Sequence, residues 1–273
     1  MPEGPEIRRA ADALAHVLED KRIEVVRFGL PALSPIAEQL RNHRVSAVET
    51  RGKALLTHFE HGYTIYSHNQ LYGVWKVVKG QKLPKSNRSI RLLLQTDSHS
   101  AILYSASDIS VWPTAELSAH PFLARIGPDI MNPQLHWRDV AARLTDSAFR
   151  NRTLATLYLD QAFLAGNGNY LRSEILHDAG LYHSRRPADL TLAEIGRLAR
   201  STLTLSRRSY ETGGVTLAPR LAKSLKKAGL KRYMRRFYVF GRAGHPCYHC
   251  SGEIERQKVG GRRQYLCPNC QSV

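Results

Sequence analysis

Two groups of residues in this chain have the types and spacing to do chemistry. At the N-terminus, Met1-Pro2-Glu3-Gly4-Pro5-Glu6 places a proline second. Removal of the initiator methionine would expose Pro2 as a secondary amine. An α-amino group titrates near pH ~8, so a useful fraction is an unprotonated nucleophile at neutral pH, unlike lysine. Attack of a secondary amine on a sugar C1′ gives an iminium ion directly, an electron sink for later elimination. Glu3 and Glu6 lie beside it as proton-transfer groups. At the other end stand all four cysteines: Cys247-x2-Cys250, sixteen residues, then Cys267-x2-Cys270. That is zinc-ribbon spacing, two knuckles giving four thiolates to one tetrahedral ion. Such a site is closed, so one structural Zn2+ and no organic cofactor are expected.

These residues must be held by elements of three textures. Residues 1–130 open with an amphipathic helix: Pro5 suits a first turn, Glu6 complements its positive end, and Ile7, Ala11, Leu14 and Leu18 recur at helical spacing. Short strand-like runs follow at Ile23–Phe28, Ala54–Phe59, Thr64–Ser67, Val74–Val78, Ile90–Gln95 and Ala101–Tyr104, punctuated by turn residues. They predict a β-sandwich or barrel. Residues 131–215 are helical. Leu154, Leu157, Tyr158 and Gln161 share a stripe that breaks at Gly166-Asn167-Gly168, and a second helix is expected from Asn169 as N-cap to Gly180. Thr191 with Glu194 forms a capping box for a third helix running towards Gly213-Gly214. The tight turn at Gly166–Asn169 delivers a helix N-terminus, where free N–H groups and the dipole favour a phosphate. Residues 216–240 read as a basic loop or linker, with eight Lys or Arg and no acid between Pro219 and Arg236. Residues 241–273 hold the ribbon. The fold class is α+β and multidomain.

Charge names the class of partner. Forty Lys and Arg against 23 Asp and Glu leave a net charge of +17, which suits a polyanion, with nucleic acid foremost. No apolar run approaches a membrane span and the N-terminus lacks the order of a signal peptide. With reduced cysteines in a metal site, the expected compartment is the cytoplasm. Nothing signals oligomerisation, so a monomer is expected.

The Pro-Glu-Gly-Pro-Glu start, Arg51-Gly52-Lys53-Ala54-Leu55, Asn69-Gln70-Leu71-Tyr72-Gly73, the Gly-x-Gly-Asn-Tyr turn and the terminal ribbon occur here in order. In combination they resemble the formamidopyrimidine-DNA glycosylase/endonuclease VIII family of base-excision repair enzymes, with the endonuclease VIII branch the nearer. The resemblance spans essentially the whole chain. It implies a DNA glycosylase/AP lyase acting on double-stranded DNA with oxidised bases or abasic sites, through a helix-two-turn-helix domain and a zinc finger. By it, Pro2 forms a Schiff base with C1′, Glu3 protonates the sugar or leaving base, and Lys53 holds a phosphate and donates a proton during β-elimination. Gln70, Leu71 and Tyr72 fill the gap left by the flipped nucleotide, whose unstacking costs a few kcal/mol. Arg125 and Asn169 grip phosphate. Arg262, five residues before the third cysteine, reaches the phosphates beside the lesion and is linked to δ-elimination; the adjacent Arg263 leaves a one-residue ambiguity. Glu174 is a helix carboxylate facing the site.

Two features depart from the pattern. Asn167 stands where an apolar residue is usual. The stretch from Gly213 to Phe240 has the length and glycine pair of the oxidised-purine branch but a run of lysines matching neither. The N-terminal block and the Gln-Leu-Tyr wedge favour oxidised pyrimidines, with β,δ-elimination. The alternatives are a purine-preferring member of the family and a non-catalytic zinc-ribbon nucleic-acid-binding protein.

Overall fold

The computed structural model describes residues 2–271, which fall into two compact units, Met1–Arg125 and Ile126–Val273. The first begins with helix α1 (Gly4–Leu18), which has Pro5 in its first turn and buries Ile7, Ala11, Leu14 and Leu18 as their spacing predicts. Eight antiparallel strands follow: β1 (Val25–Phe28), β2 (Val45–Arg51), β3 (Ala54–Phe59), β4 (Tyr63–His68), β5 (Val74–Lys79), β6 (Ile90–Gln95), β7 (His99–Tyr104) and β8 (Asp108–Pro113). A single-turn helix, α2 (Ala37–Leu40), precedes β2. The strands form two four-stranded sheets, ordered β1-β6-β7-β5 and β2-β3-β4-β8.

Alternation along the strands builds a sandwich from these sheets. Leu92 and Leu94 of β6, Leu103 of β7, Leu55 of β3 and Ile65 of β4 meet the apolar face of α1 in one core. The intervening Leu93, Ile102 and Tyr104 form a smaller cluster on the far face of the first sheet. Ala54, Leu56 and Tyr66 do the same on the second, under Leu117, Phe122 and Leu123. Strands β2 and β8 were absent from the sequence-based expectation. Both are edge strands, where polar residues such as Glu49 and Ser110 break the apolar pattern that identifies a strand.

The second unit is helical: α3 (Trp137–Thr145), α4 (Leu154–Leu157), α5 (Asn169–Asp178), α6 (Leu192–Thr212) and α7 (Pro219–Lys227). Leu144, Leu157, Leu171, Ile175, Leu198 and Leu203 close its core. The capping box at Thr191 and Glu194 opens α6, and Gly213 ends it at φ +73°, the left-handed conformation that glycine adopts readily.

Three expectations are corrected. The stripe through Gln161 is not one helix, since α4 spans only Leu154–Leu157. Asp160 takes the Ala162 N–H at 2.8 Å and pairs with Arg152, giving the backbone a turn in place of the next helical bond. Gly168, not Asn169, is the N-cap of α5. The stretch expected as loop or linker contains α7, started by Pro219 and seated through Leu221, Ala222 and Leu225 on the apolar cluster of the ribbon.

The ribbon is a two-stranded hairpin of β9 (Glu255–Val259) and β10 (Arg262–Leu266). Its loop, Gly260-Gly261, has positive φ at both positions, the turn that matches the twist of a two-residue hairpin.

Candidate active site and zinc ribbon

In the first unit the site is built at one end of the sheet β2-β3-β4-β8. The β2–β3 hairpin turns through Gly52-Lys53, with Arg51 opposite Ala54 and Gly52 at φ +63°, as glycine at the first loop position allows. Lys53 is only 9% exposed, so this cation is fixed in the fold and is not a mobile surface charge. Ala54 pairs with His68, and His68 with Asp108. The register therefore sets Lys53 beside the end of β4, where Asn69-Gln70-Leu71-Tyr72 begins. Burial holds the His68 imidazole below its usual range; the nearby Lys53 ammonium adds to this and Asp108, 4.0 Å away, opposes it.

The turn after β4 presents its tip to solvent. The Gly73 N–H closes on the Asn69 carbonyl at 2.7 Å, and a Cβ on Gly73 would meet that oxygen at 2.5 Å, so the closure requires glycine. Gln70 takes φ +50°. Its N–H donates to His68 Nδ1 at 3.2 Å, and its side-chain oxygen accepts the Ser107 hydroxyl at 2.8 Å. Leu71 and Tyr72 are 52% and 68% exposed. They lie outside the core.

Helix α1 packs along β2. Its C-terminal end meets the start of that strand: the Asp20 N–H donates to the Val45 carbonyl at 2.9 Å, and Glu19 accepts the Val48 N–H at 2.7 Å. Fifteen helical residues and seven extended ones both span about 20 Å. The helix start, with Pro2 and Glu3, therefore points to the Arg51-Gly52-Lys53 end. Pro2 is half-buried. Glu3, the N-cap, is buried and donates its N–H to Glu6 at 3.0 Å. The helix dipole favours negative charge there. The structure thus brings an N-terminal amine position, a buried carboxylate, a fixed lysine and an exposed amide-aliphatic-aromatic turn to one end of the sandwich. Arg125, at the end of this unit, is exposed and donates from Nε to the Pro121 carbonyl at 2.7 Å.

In the second unit, Asn169 is committed to the protein. Its Nδ2 donates to the Arg263 carbonyl at 2.8 Å and its Oδ1 accepts from Arg172 at 2.8 Å. It ties the start of α5 to β10, leaving the backbone of the helix start to meet an anion. Arg172, three residues on and buried, also reaches the Ala155 and Arg263 carbonyls. Arg262 and Arg263 are both exposed beside the hairpin turn; Arg263 is the one whose backbone is pinned to α5. Asn167 is fully buried, and its amide finds no hydrogen-bond partner among the described residues.

Glu174 serves differently from the expectation of a carboxylate facing the site. It is fully buried. Its Oε1 accepts the Val239 and Phe240 N–H groups at 2.8 and 2.9 Å; its Oε2 accepts the Tyr238 N–H at 2.7 Å and the Thr216 hydroxyl at 2.5 Å. Burial pushes this carboxyl up, opposed by the same four donors. It latches the chain entering the ribbon to helix α5. Sequence reasoning could not foresee this, because the partners lie more than forty residues downstream. Arg242 was also missed: it is buried, donates to the Tyr238 and Pro246 carbonyls, and lies 3.5 Å over the Tyr248 ring.

The four cysteine Sγ atoms lie within 4.8 Å of one another, and none is in a disulfide. Cys247 and Cys270 are 3.8 Å apart, Cys250 and Cys267 3.4 Å. A tetrahedral zinc with bonds of about 2.3 Å requires edges of about 3.8 Å, so the quartet fits one structural Zn2+. His177 Nε2, 3.7 Å from the Cys247 sulfur, and the His249 N–H, 3.4 Å from it, supply the outer contacts that orient a thiolate.

Residues 1–107 match the formamidopyrimidine-DNA glycosylase N-terminal domain, and residues 244–273 the zinc finger found in FPG and IleRS. Together the fold and these matches define a DNA glycosylase/AP lyase of base-excision repair. The chain is 48% identical to endonuclease 8 of Klebsiella pneumoniae and 47% to that of Escherichia coli, each over 99% of this chain and all of the relative. It belongs to the formamidopyrimidine-DNA glycosylase/endonuclease 8 family. In fold it is similar to Lactococcus lactis formamidopyrimidine-DNA glycosylase, solved with abasic-site DNA (TM-score 0.80, 18% identity, 99% of this chain and all of that one). The same enzyme with N7-benzyl-Fapy-dG DNA gives a TM-score of 0.82 at 19% identity, covering both chains fully. No described helix is long and apolar enough to cross a membrane.

Proposed function

We propose that this enzyme excises oxidised pyrimidines such as thymine glycol from double-stranded DNA and then nicks the strand by β,δ-elimination. The observation that carries this is the single end of the sandwich where the start of α1, Lys53 and the exposed Gln70-Leu71-Tyr72 turn converge. The Pro2 nitrogen, freed of Met1, attacks C1′ of the damaged nucleotide as the glycosidic bond breaks, and the base leaves with the proton given up by that nitrogen. The C1′–O4′ bond then opens, O4′ takes a proton delivered through Glu3, and the nitrogen lone pair closes the iminium. The resulting iminium acidifies the C2′ proton; its loss expels the 3′ phosphate, and a second elimination expels the 5′ phosphate. Lys53 holds phosphate and supplies a proton. Glu6 supports Glu3 through the Glu3 backbone. Leu71 and Tyr72 wedge and stack, while Gln70 hydrogen-bonds the widowed base. Arg125, Asn169 through the start of α5, and Arg262 grip phosphates. The helical residues 131–215, the basic stretch 216–240 and the ribbon 241–273 work as DNA-holding segments that follow the catalytic domain, residues 1–130, along the chain. The enzyme acts as a monomer in the cytoplasm.

A second reading, oxidised purines, draws on the long segment from Gly213 to Phe240. Excision rates on otherwise identical duplexes carrying thymine glycol or 8-oxoguanine separate the two. The pyrimidine should be removed at least about tenfold faster; equal or faster removal of 8-oxoguanine overturns the proposal.

A further inference from the structure

The two faces of α7 are of opposite character. At 100° per residue, Leu221, Ala222 and Leu225 fall on one side, and that side is packed on the ribbon's apolar cluster. Arg220, Lys223 and Lys227, spaced i, i+3, i+7, fall on the other and are exposed. The helix contains no acidic residue, and among the described residues the ion pairs include none of these three cations. Arg220 and Lys227 are about 10 Å apart along the axis, the rise of about three steps of a DNA strand. The turn that follows exposes Lys231, Arg232 and Tyr233, the last 64% exposed. Like charges repel along such a face, and a row of phosphates relieves that repulsion while releasing counterions. The apolar seat on the ribbon fixes which side of the helix faces outward.

We propose that the outer face of α7 is a lesion-independent grip on the phosphate backbone of duplex DNA, separate from the residues that engage the damaged nucleotide. The proposal rests on the enzyme acting on DNA as set out above. It supplies affinity through counterion release and carries no base specificity.

The test uses the full-length zinc-loaded protein and an undamaged duplex of fixed length, with binding measured between 50 and 200 mM salt. The triple variant Arg220→Gln, Lys223→Gln, Lys227→Gln should lower the slope of log affinity against log salt by about 2–3, since each neutralised phosphate contributes about 0.9. The charge-preserving variant Arg220→Lys, Lys223→Arg, Lys227→Arg should keep the original slope, which separates charge from folding. An unchanged slope in the triple variant overturns the proposal. So does a slope lost equally in both variants, or a triple variant that loses only binding to anionic phospholipid vesicles. Borohydride trapping on abasic DNA at low salt should persist in the triple variant; failure of trapping in the unmodified protein would count against the proposed chemistry and not against this surface.

Discussion

Replacing Glu174 with glutamine tests how the chain entering the ribbon is held. Four donors converge on this carboxylate, two per oxygen, and three are backbone N–H groups that can only donate. An amide keeps one acceptor oxygen and turns the other into a donor. With the NH2 group in place of Oε2, the Thr216 hydroxyl can turn to accept, but the Tyr238 N–H loses its acceptor and faces a donor. A hydrogen bond to a charged acceptor contributes about 1.5–3 kcal/mol, a stranded buried donor costs about 1–3 kcal/mol, and the bonds that remain weaken at a neutral acceptor, giving a loss of about 3–6 kcal/mol. For a unit of this size about 1 kcal/mol moves the melting temperature by about 2–4 °C, so Glu174→Gln should melt on the order of 10 °C lower. Native-state hydrogen exchange gives the sharper readout. The amides of Tyr238, Val239 and Phe240 should lose protection by about 10²–10⁴-fold, at tenfold per ~1.4 kcal/mol. A variant that keeps its melting temperature and the protection of these three amides would refute the latch.

Three further outcomes follow from other regions of the molecule. Leu71→Ala should leave stability within about 0.5 kcal/mol, because the side chain is half exposed; excision from duplex DNA should fall by about tenfold or more and from single strands much less, as the proposed wedge acts against stacking. Chelation of zinc should release the ribbon, read as loss of protection in β9 and β10 and loss of DNA binding, since ribbon folding is coupled to the metal. The Glu194 carboxyl is held down from an ordinary 4.5 to about 2, first by its hydrogen bond with Arg185 and then by the Thr191 backbone. A lowered folded value stabilises above the ordinary one and is lost on acidification, so α6 should weaken as pH falls from 4.5 towards 2. Glu194→Gln should flatten that region of a melting-temperature profile and, at neutral pH, cost about 1 kcal/mol of capping.

What could be read from the chain alone followed from locality. Pro5 and Glu6 mark α1 and Thr191 with Glu194 marks α6 through contacts within one turn, and the cysteine spacing carries its own geometry. The chain around Leu154–Gln161 misled because Asp160 offers the backbone a competing turn that the apolar stripe does not reveal. Strands β2 and β8 escaped notice as polar edges. Helix α7 was hidden by its charge; its apolar residues gain meaning only when the ribbon is there to receive them. For the site, Pro2, Glu3 and Lys53 were named by type and family pattern, but the reason Lys53 is fixed lies in the pairing of Ala54 with His68. The roles of Asn169 and Glu174 as ties to Arg263 and to residues 238–240 depend on contacts 64–94 residues apart, which no local pattern encodes.

The central claim is that the nucleophile is the amine of Pro2. Borohydride reduction in the presence of thymine-glycol duplex, followed by mass mapping of the trapped peptide, tests it most directly. The account predicts a covalent DNA adduct on the N-terminal peptide beginning at Pro2, with Met1 absent, and a sharp loss of trapping in Pro2→Gly. An adduct on Lys53 or another lysine, or full trapping by protein that retains Met1, would contradict it.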